Sequence, residues 1–552
     1  MSINISTSVL HDTQEQQLSA TKFSLFSALG FVAFYNTSFF SATFNLTDYT
    51  SLHGSIFIVN ISLVLWLLTF IIVSLFTLPY LVKLVFPILF IASASIAYFM
   101  NSYGVVIHRL MIQNVLETDF SETRDLFNIH LALYVVALGI LPSLLVLKIN
   151  ISYGSFKTEA WRKLKFIALA FIACLALVMS MSTDYASFFR NHKNIRQMAN
   201  PLNFIYAGLS YVATNDSSID VSPIEHDAKL SPFGKTQEKP TLFIVVVGET
   251  ARADHFGING YNRDTTPLIA HQHIINFPHV TSCGTETAVS VPCMFSALGH
   301  NNYSDSKAKS QEGVLDVLKH AGIEVLWRDN NSSCKGTCNR VAYEDMQNFD
   351  IPELCNEREC FDEILLHLLD EKIGSTNSNK VVVLHQKGSH GPDYFDRYPS
   401  DKEFFKPVCK TNQLHQCSRE TVINAYDNTI RYTDYFLNST IEWLKTKSRQ
   451  YNTSLLYLSD HGESLGENNL YLHGMPYSFA PKVQKQVPMF LWLSDDYAKA
   501  NGIDSECLKN SAADTYSHDN LFHTLLGMLN VETSIYNTKL DIVKPCRSRP
   551  RN

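Results

Sequence analysis

A threonine hydroxyl is almost fully protonated at neutral pH, so it becomes a nucleophile only beside a base or on a divalent metal. In this 552-residue chain Thr287 lies in Ser282-Cys-Gly-Thr-Glu-Thr-Ala-Val-Ser-Val-Pro-Cys-Met-Phe-Ser296, and metal ligands occur at two distant points. Glu249 ends the apolar run Phe243-Ile-Val-Val-Val-Gly248, and Asp460-His461-Gly462 follows Leu455-Leu-Tyr-Leu-Ser459. Two carboxylates and an imidazole suit zinc, with a fourth position left for the Thr287 hydroxyl. Each residue also has an ordinary alternative. Glu249 could be an acid in the first turn of a helix, Thr287 an N-cap, and Thr285 is a rival nucleophile. Adjacent Asp-His-Gly is a better metal signal than either residue alone.

Two further histidines stand in turn-rich contexts, His390 in Lys387-Gly-Ser-His-Gly-Pro392 and His473 in Tyr471-Leu-His-Gly-Met475. Each could bind phosphate, act as a general acid toward a leaving alkoxide, or hold a second metal; a plain turn histidine is the alternative. Asn331 and Lys335, in Trp327-Arg-Asp-Asn-Asn-Ser-Ser-Cys-Lys335, could bind phosphate by amide and charge, or belong to a solvated polar loop.

These residues need a scaffold. Strand-like runs at Leu242–Val247, Val325–Trp327, Val381–Leu384, Leu455–Leu458 and Met489–Leu493 alternate with helical patterns, which predicts an α/β domain with a largely parallel sheet flanked by helices over 241–552. Glu249, His390 and Asp460-His461 all follow such runs, where functional groups of open α/β sheets gather. The N-terminal part is different. Apolar stretches at 23–44, 55–77, 84–100, 128–147 and 164–182 predict a five-helix transmembrane bundle over 1–182. Asn36 interrupts the first, as a polar residue packed between helices can. The first 20 residues lack a basic n-region, so the first span is expected to serve as an uncleaved anchor.

With the N-terminus inside, 148–165 is cytoplasmic, carrying Lys148, Lys157, Arg162, Lys163 and Lys165 against Glu159, and everything after the fifth span lies outside. The loop 101–127 would lie on that outer side as an amphipathic segment at the headgroups or an ordinary connection. Residues 183–240, polar from Asn215-Asp-Ser-Ser-Ile-Asp to Gln237-Glu-Lys-Pro240, read as a bridge and linker. Ten of the eleven cysteines follow the spans, which suits an oxidising compartment. Sequential pairing would close Cys283 with Cys293, Cys334 with Cys338, Cys355 with Cys360, Cys409 with Cys417 and Cys507 with Cys546. A structural zinc site on Cys334, Cys338, Cys355 and Cys360 is the competing use. A formal charge of −7 without a large basic cluster argues against nucleic acid, and no coiled-coil pattern demands a partner, so a monomer is expected.

At these residues the chain closely resembles the lipid A phosphoethanolamine transferases, the family that includes the mobile colistin resistance enzymes. The resemblance runs through Met111-Ile-Gln-Asn-Val115, Ala186-Ser-Phe-Phe-Arg-Asn-His192, Asn203-Phe-Ile-Tyr206, Val247-Gly-Glu-Thr-Ala-Arg-Ala-Asp254, the Thr287 motif, Ser459-Asp-His-Gly-Glu-Ser-Leu-Gly-Glu467 and Ser517-His-Asp-Asn-Leu521. Asp-His-Gly alone belongs to the wider alkaline phosphatase and sulfatase superfamily, whose fold is implied for the outer domain. The resemblance implies zinc held by Glu249, Thr287, Asp460 and His461, and phosphoethanolamine carried by Thr287 from phosphatidylethanolamine to lipid A. It also implies that His390 and His473 serve substrate phosphate or a second zinc, that Asn331 and Lys335 line the pocket, and that the chain sits in a Gram-negative inner membrane with its catalytic domain in the periplasm. Weaker binding of polymyxins is the expected consequence. The Cys334 and Cys338 pair departs from some relatives. Rival readings are a transferase acting on lipopolysaccharide core, another glycan or a protein; a sulfatase, for which the Cys-x-Pro-x-Arg signature is missing; a lipoteichoic-acid type polymerase, which ten outer cysteines disfavour; and a catalytically silent lipid or peptide sensor.

Overall fold

A computed structural model describes residues 17–117, 120–192, 194–214, 221–224, 227–349, 351–374 and 377–548. The expectations for residues 1–16 and for the polar stretch 215–220 fall outside the described residues. The chain forms two compact units, one of residues up to 101 with 129–206, the other of 102–128 with 207–552.

The first unit is helical. Its helices α1 (Ala20–Tyr35) and α2 (Thr37–Leu46) are bent by 64° at Asn36. The bend has a side-chain cause: Asn36 Nδ2 donates to the carbonyls of Phe31 (2.9 Å) and Asn200 (2.6 Å), while its Oδ1 accepts the Asn200 amide at 2.9 Å. Competing side-chain bonds of this kind break a helical ladder. Next come α3 (Leu52–Phe76) and α4 (Val82–Tyr103). The chain then contributes α5 (Arg109–Glu117) and α6 (Phe120–Leu126) to the second unit before returning as α7 (Ile129–Lys148). A π-helical stretch at Val135–Ile140 interrupts α7, and a Cβ on Gly139 would lie 3.1 Å from Ile91 Cα, so glycine permits the close approach of α7 to α4. Helix α8 (Phe156–Ser180) follows. Among the described residues four helices are long and apolar enough to cross a membrane, or five if the bent pair counts as one span.

The loop expected over 148–165 is shorter than its composition suggests. Ser155 caps α8 and Glu159 lies in its first turn, where a cap and an acid favour helix initiation. Lys157, Arg162, Lys163 and Lys165 therefore sit on the basic end of a helix. The bridge also contains more structure than its polarity suggests, with α9 (Ser182–Asn191), a 3-10 turn at Ile195–Met198 and α10 (Leu202–Thr214).

The second unit is built on an eight-stranded sheet. Its strands in chain order are β1 (Thr241–Gly248), β2 (Ile275–Thr281), β3 (Glu324–Asp329), β4 (Ala342–Asp345), β5 (Lys380–His385), β6 (Asn452–Ser459), β7 (Gln486–Leu493) and β8 (Tyr516–Ser517), arranged β8-β2-β7-β6-β1-β5-β3-β4. The block β6-β1-β5-β3-β4 is parallel, and β7 runs antiparallel to both β6 and β2. Every residue of β1, β5 and β6 is buried, which explains their near-continuous apolar runs, since helices cover both faces of such a sheet. Helix α11 (Thr287–Met294) follows β2, and the long α12 (Arg419–Lys447) precedes β6. All five sequential cysteine pairs are disulfide-bonded, so Cys334, Cys338, Cys355 and Cys360 are not metal ligands. Cys174 is free and buried.

Candidate active site

The parallel block sets adjacent strand ends side by side. Glu249 follows β1, Asp460 and His461 follow β6 beside it, and Asn331 and His390 lie just beyond β3 and β5 on the other flank. Glu249, Asp460 and His461 are buried, with ligand atoms all within 4.8 Å of one another. Thr287 joins them from the first turn of α11, its Oγ1 3.2 and 3.1 Å from the two Glu249 carboxylate oxygens and 3.4 Å from His461 Nε2. Thr287 is not the N-cap. That position belongs to Glu286, which makes no capping side-chain bond, so the threonine hydroxyl faces the carboxylate. Thr285, the rival nucleophile, donates to the Met475 carbonyl at 2.6 Å.

Each ligand group is held from behind. His461 Nδ1 lies 3.0 Å from the Gly462 carbonyl; a carbonyl only accepts, so Nδ1 carries the proton and Nε2 is left facing the carboxylates. Asp460 Oδ1 accepts the amides of Thr250 (3.0 Å) and His461 (2.6 Å). Thr250 reaches that position with φ of 60°, a left-handed conformation that is strained for a β-branched residue. Asn331 Nδ2 donates to Glu249 Oε2 at 2.7 Å and to the Gln386 carbonyl at 3.0 Å, so its amide is engaged in orienting Glu249. On Gly388 (φ 55°) a Cβ would lie 2.7 Å from the Glu249 carbonyl oxygen, which accounts for glycine there. The Cys283–Cys293 disulfide brackets the Thr287 turn.

The electrostatics are those of crowded negative charge. Burial alone would raise Glu249, but the hydrogen bond and charge of His461, with His390 and His473 beyond, hold its carboxyl well below the usual range. Burial and the neighbouring Glu249 push Asp460 up to about 7, against the pull of His461. Burial would lower His461, yet Asp460 and Glu249 raise it to about 10. The cluster thus retains a proton on His461 that a cation would displace. Asp460 Oδ2 has no hydrogen-bond partner, although it is buried. That oxygen, within ion-pair distance of His461 Nε2 at 3.2 Å, together with a second carboxylate, the imidazole nitrogen and a hydroxyl fits a divalent metal, and this donor set suits zinc.

His473 lies tilted against His461, ring centroids 4.4 Å apart, and His390 meets His473 edge-on at 5.5 Å. His473 Nδ1 donates to Glu463 Oε2 at 3.1 Å, which leaves Nε2 for another group. Burial keeps the His390 ring well below its ordinary pKa. Lys335 is less committed to the cluster: its ammonium folds back on Ser332, 2.8 Å from the carbonyl and 2.9 Å from the hydroxyl.

Three contributions were not singled out as site residues. Asn114, on α5, donates to Glu286 Oε2 at 2.5 Å, which puts α5 directly behind the nucleophile turn; burial pushes Glu286 up to about 8. His518 accepts the Cys283 amide on Nδ1 (3.1 Å) and donates from Nε2 to the Ser459 carbonyl (3.0 Å), tying the Thr287 turn to β6. Asp362 accepts the amides of Lys387 and Gly388, bracing the turn that bears His390. Met111-Ile-Gln-Asn-Val115 and Ser517-His-Asp-Asn-Leu521 carried the first two signals; Asp362 had none.

Comparison with known proteins agrees with this geometry. Residues 241–531 match the sulfatase family model, and residues 65–215 match the model of phosphoethanolamine transferase EptA/EptB. Phosphoethanolamine transferase EptA of Escherichia coli (strain K12) is 40% identical over 518 residues, covering 93% of this chain and 94% of that protein. Phosphatidylethanolamine transferase Mcr-1 of Escherichia coli is 41% identical over 513 residues, 89% of this chain and 93% of that one. The structure of the integral membrane protein lipooligosaccharide phosphoethanolamine transferase A (EptA) from Neisseria meningitidis superposes with a TM-score of 0.93 at 36% identity, over 97% of this chain and 100% of that one. Full-length agreement in both sequence and fold leaves one assignment: the chain belongs to the phosphoethanolamine transferase family.

Proposed function

We propose that this enzyme transfers phosphoethanolamine from phosphatidylethanolamine to a lipid A phosphate in two steps, from the periplasmic face of a Gram-negative inner membrane. The observation that carries the reading is the Thr287 hydroxyl at 3.1 Å from Glu249, facing a buried Glu249, Asp460 and His461 cluster, in a chain of this family. A zinc ion held by those three residues would lower the hydroxyl pKa and offset the charge that develops on the phosphoryl oxygens.

In the first step Thr287 Oγ1 forms a bond to phosphorus as the bond to the diacylglycerol oxygen breaks, and the threonine proton leaves toward the Glu249 carboxylate. His473, with Nδ1 anchored on Glu463, is positioned through Nε2 to protonate the departing alkoxide; His390 beside it would contact phosphate. In the second step an oxygen of a lipid A phosphate forms a bond to phosphorus as the bond to Thr287 Oγ1 breaks, and the threonine oxygen takes back the proton from Glu249. Asn331 keeps Glu249 oriented throughout, and Lys335 would reach phosphate only by leaving Ser332. Confining both lipid substrates to one membrane raises their effective concentration. A cationic ethanolamine on lipid A offsets its negative charge, so cationic peptides such as polymyxins bind less tightly.

The test is mass spectrometry of lipid A from a polymyxin-sensitive Gram-negative host expressing wild type or Thr287→Ala at matched membrane levels. A phosphoethanolamine adduct with wild type alone is expected. No adduct from well-expressed wild type overturns the lipid A acceptor and directs the search to core sugars and other envelope acceptors.

A further inference from the structure

Two of the family motifs, Ala186–His192 and Asn203–Tyr206, take no part in the metal cluster. Both contribute to a cleft of 730 Å³ in the helical unit. One wall is apolar: Phe39 from α2, Ile61, Val64, Leu65 and Leu68 from α3, and Val178 from α8. From Ile61 to Leu68 this wall runs about 10 Å along α3 at ~1.5 Å per residue, roughly two thirds of the ~15 Å hydrocarbon depth of one leaflet. The bridge supplies the other wall, apolar at Phe189, Ala199 and Leu202 and polar at Arg196, Gln197, Asn203 and the tyrosine hydroxyls.

The chemistry of that polar part is selective. Arg196 is exposed and makes no ion pair with the described residues. Gln197 Oε1 is buried without a hydrogen-bond partner. No carboxylate lines the cleft, and the neighbouring Asp184 is held by His53 at 3.0 Å. A cleft with an apolar channel and a single guanidinium matches an acyl chain joined to a phosphate. It offers an ammonium group only the neutral amide oxygen of Gln197 and no carboxylate, so a zwitterionic ethanolamine headgroup would leave its positive end beside Arg196 without a counter-charge, whereas the hydroxyls of a glycerol headgroup can donate to Gln197 Oε1.

We infer that this cleft is a binding site for an anionic glycerophospholipid, which lays one acyl chain along α3 and sets its phosphate on Arg196. The headgroup preference of this cleft differs from that of the proposed ethanolamine-bearing donor. The site fastens the 3-10 turn at Ile195–Met198 to α2 and α3, and so steadies the segment that carries Asn200 to Asn36.

Purified full-length enzyme given equal amounts of phosphatidylglycerol and phosphatidylethanolamine in detergent tests this by native mass spectrometry. Wild type is expected to retain one phosphatidylglycerol in preference. Arg196→Gln should weaken that retention about fivefold, the contribution of one surface cation, and Arg196→Lys should restore most of it. Leu65→Trp, which fills the channel, should exclude both lipids, with a melting curve run alongside to show that it folds. Equal retention of the two lipids by wild type, a preference for phosphatidylethanolamine, or an Arg196→Gln variant that binds like wild type would each overturn the assignment.

Discussion

The Asn36–Asn200 junction in the membrane unit and the Glu249–Asp460–His461 cluster at the carboxyl ends of the central strands are both buried polar groups contributed by distant parts of the chain. They differ in charge, and charge decides what each can do. Two amides carry donors and acceptors together, so Asn36 and Asn200 exchange hydrogen bonds in both directions and serve to bend and pin helices. Two carboxylates carry only acceptors. One histidine cannot supply both, so Asp460 is raised, Glu249 is lowered and Asp460 Oδ2 has no hydrogen-bond partner. A self-sufficient pair stabilises a fold; a pair that repels stores an affinity for a cation.

The largest effect should come from removing the charge that makes the cluster incomplete. Asp460→Asn is expected to reduce diacylglycerol release from phosphatidylethanolamine by at least about 10³-fold. It should also abolish the response of the melting temperature to a chelator, which in wild type falls as metal is withdrawn. A chelator response that survives in Asp460→Asn would place the metal elsewhere. Next, Asn331→Ala takes away the group that orients Glu249, and losing the hydrogen-bond support of a metal-binding side chain costs about 10- to 100-fold in metal affinity or activity. Competition with a chromophoric chelator would measure it, and an unchanged affinity would reduce Asn331 to a packing residue.

The amide junction should behave oppositely. Asn36→Leu leaves the Asn200 backbone groups without partners and is expected to destabilise the membrane unit by about 1 to 3 kcal/mol, with turnover per folded molecule nearly intact. Asn200→Leu removes different bonds, those of its side chain to the carbonyls of Tyr35 (3.4 Å) and Ser93 (2.9 Å), so the double variant should lose close to the sum of the singles. A coupling well above about 0.5 kcal/mol in the double-mutant cycle would show that the two side chains act as one unit.

The smallest effect concerns His518, which burial holds down to about 3 from 6.5. A lowered histidine pKa means that the unfolded chain binds the extra proton first as pH falls. The neutral ring's contribution is therefore complete above about pH 6.5 and is lost as pH drops toward 3. In metal-free protein, His518→Phe should be less stable than wild type at neutral pH and should show a flatter stability profile between those limits, read by denaturant melts. Parallel profiles would exclude His518 as a source of the acid sensitivity.

Much of the second unit can be read in one dimension because its central strands are buried on both faces. Continuous runs such as Leu242–Val247 and Leu455–Leu458 therefore mark β1 and β6, and the polar residue that ends each run marks the site. Strand β2 escaped because Ile275–Thr281 contains Pro278 and alternates in burial; β4 and β8 are short edge strands with little apolar content. The disulfide partners, four of the five separated by ten residues or fewer, were legible because a short loop leaves few alternatives. Helix α5 was not, since its place behind the Thr287 turn depends on a contact between Asn114 and Glu286 that spans 172 positions.

Local chemistry settles which elements form and which atoms are available: apolar period and length define strands and spans, and Thr, Glu, Asp and His supply a hydroxyl, two carboxylates and an imidazole. Which of these atoms meet, and in what protonation state, depends on strand order. Only the adjacency of β6 and β1 brings Asp460 within reach of Glu249, the Gly462 carbonyl decides which His461 nitrogen faces them, and the fold gives Asn331 a contact the sequence did not suggest, the support of Glu249. Pairings across hundreds of residues arise when the sheet closes and water leaves, and burial then turns modest local preferences into large shifts in charge.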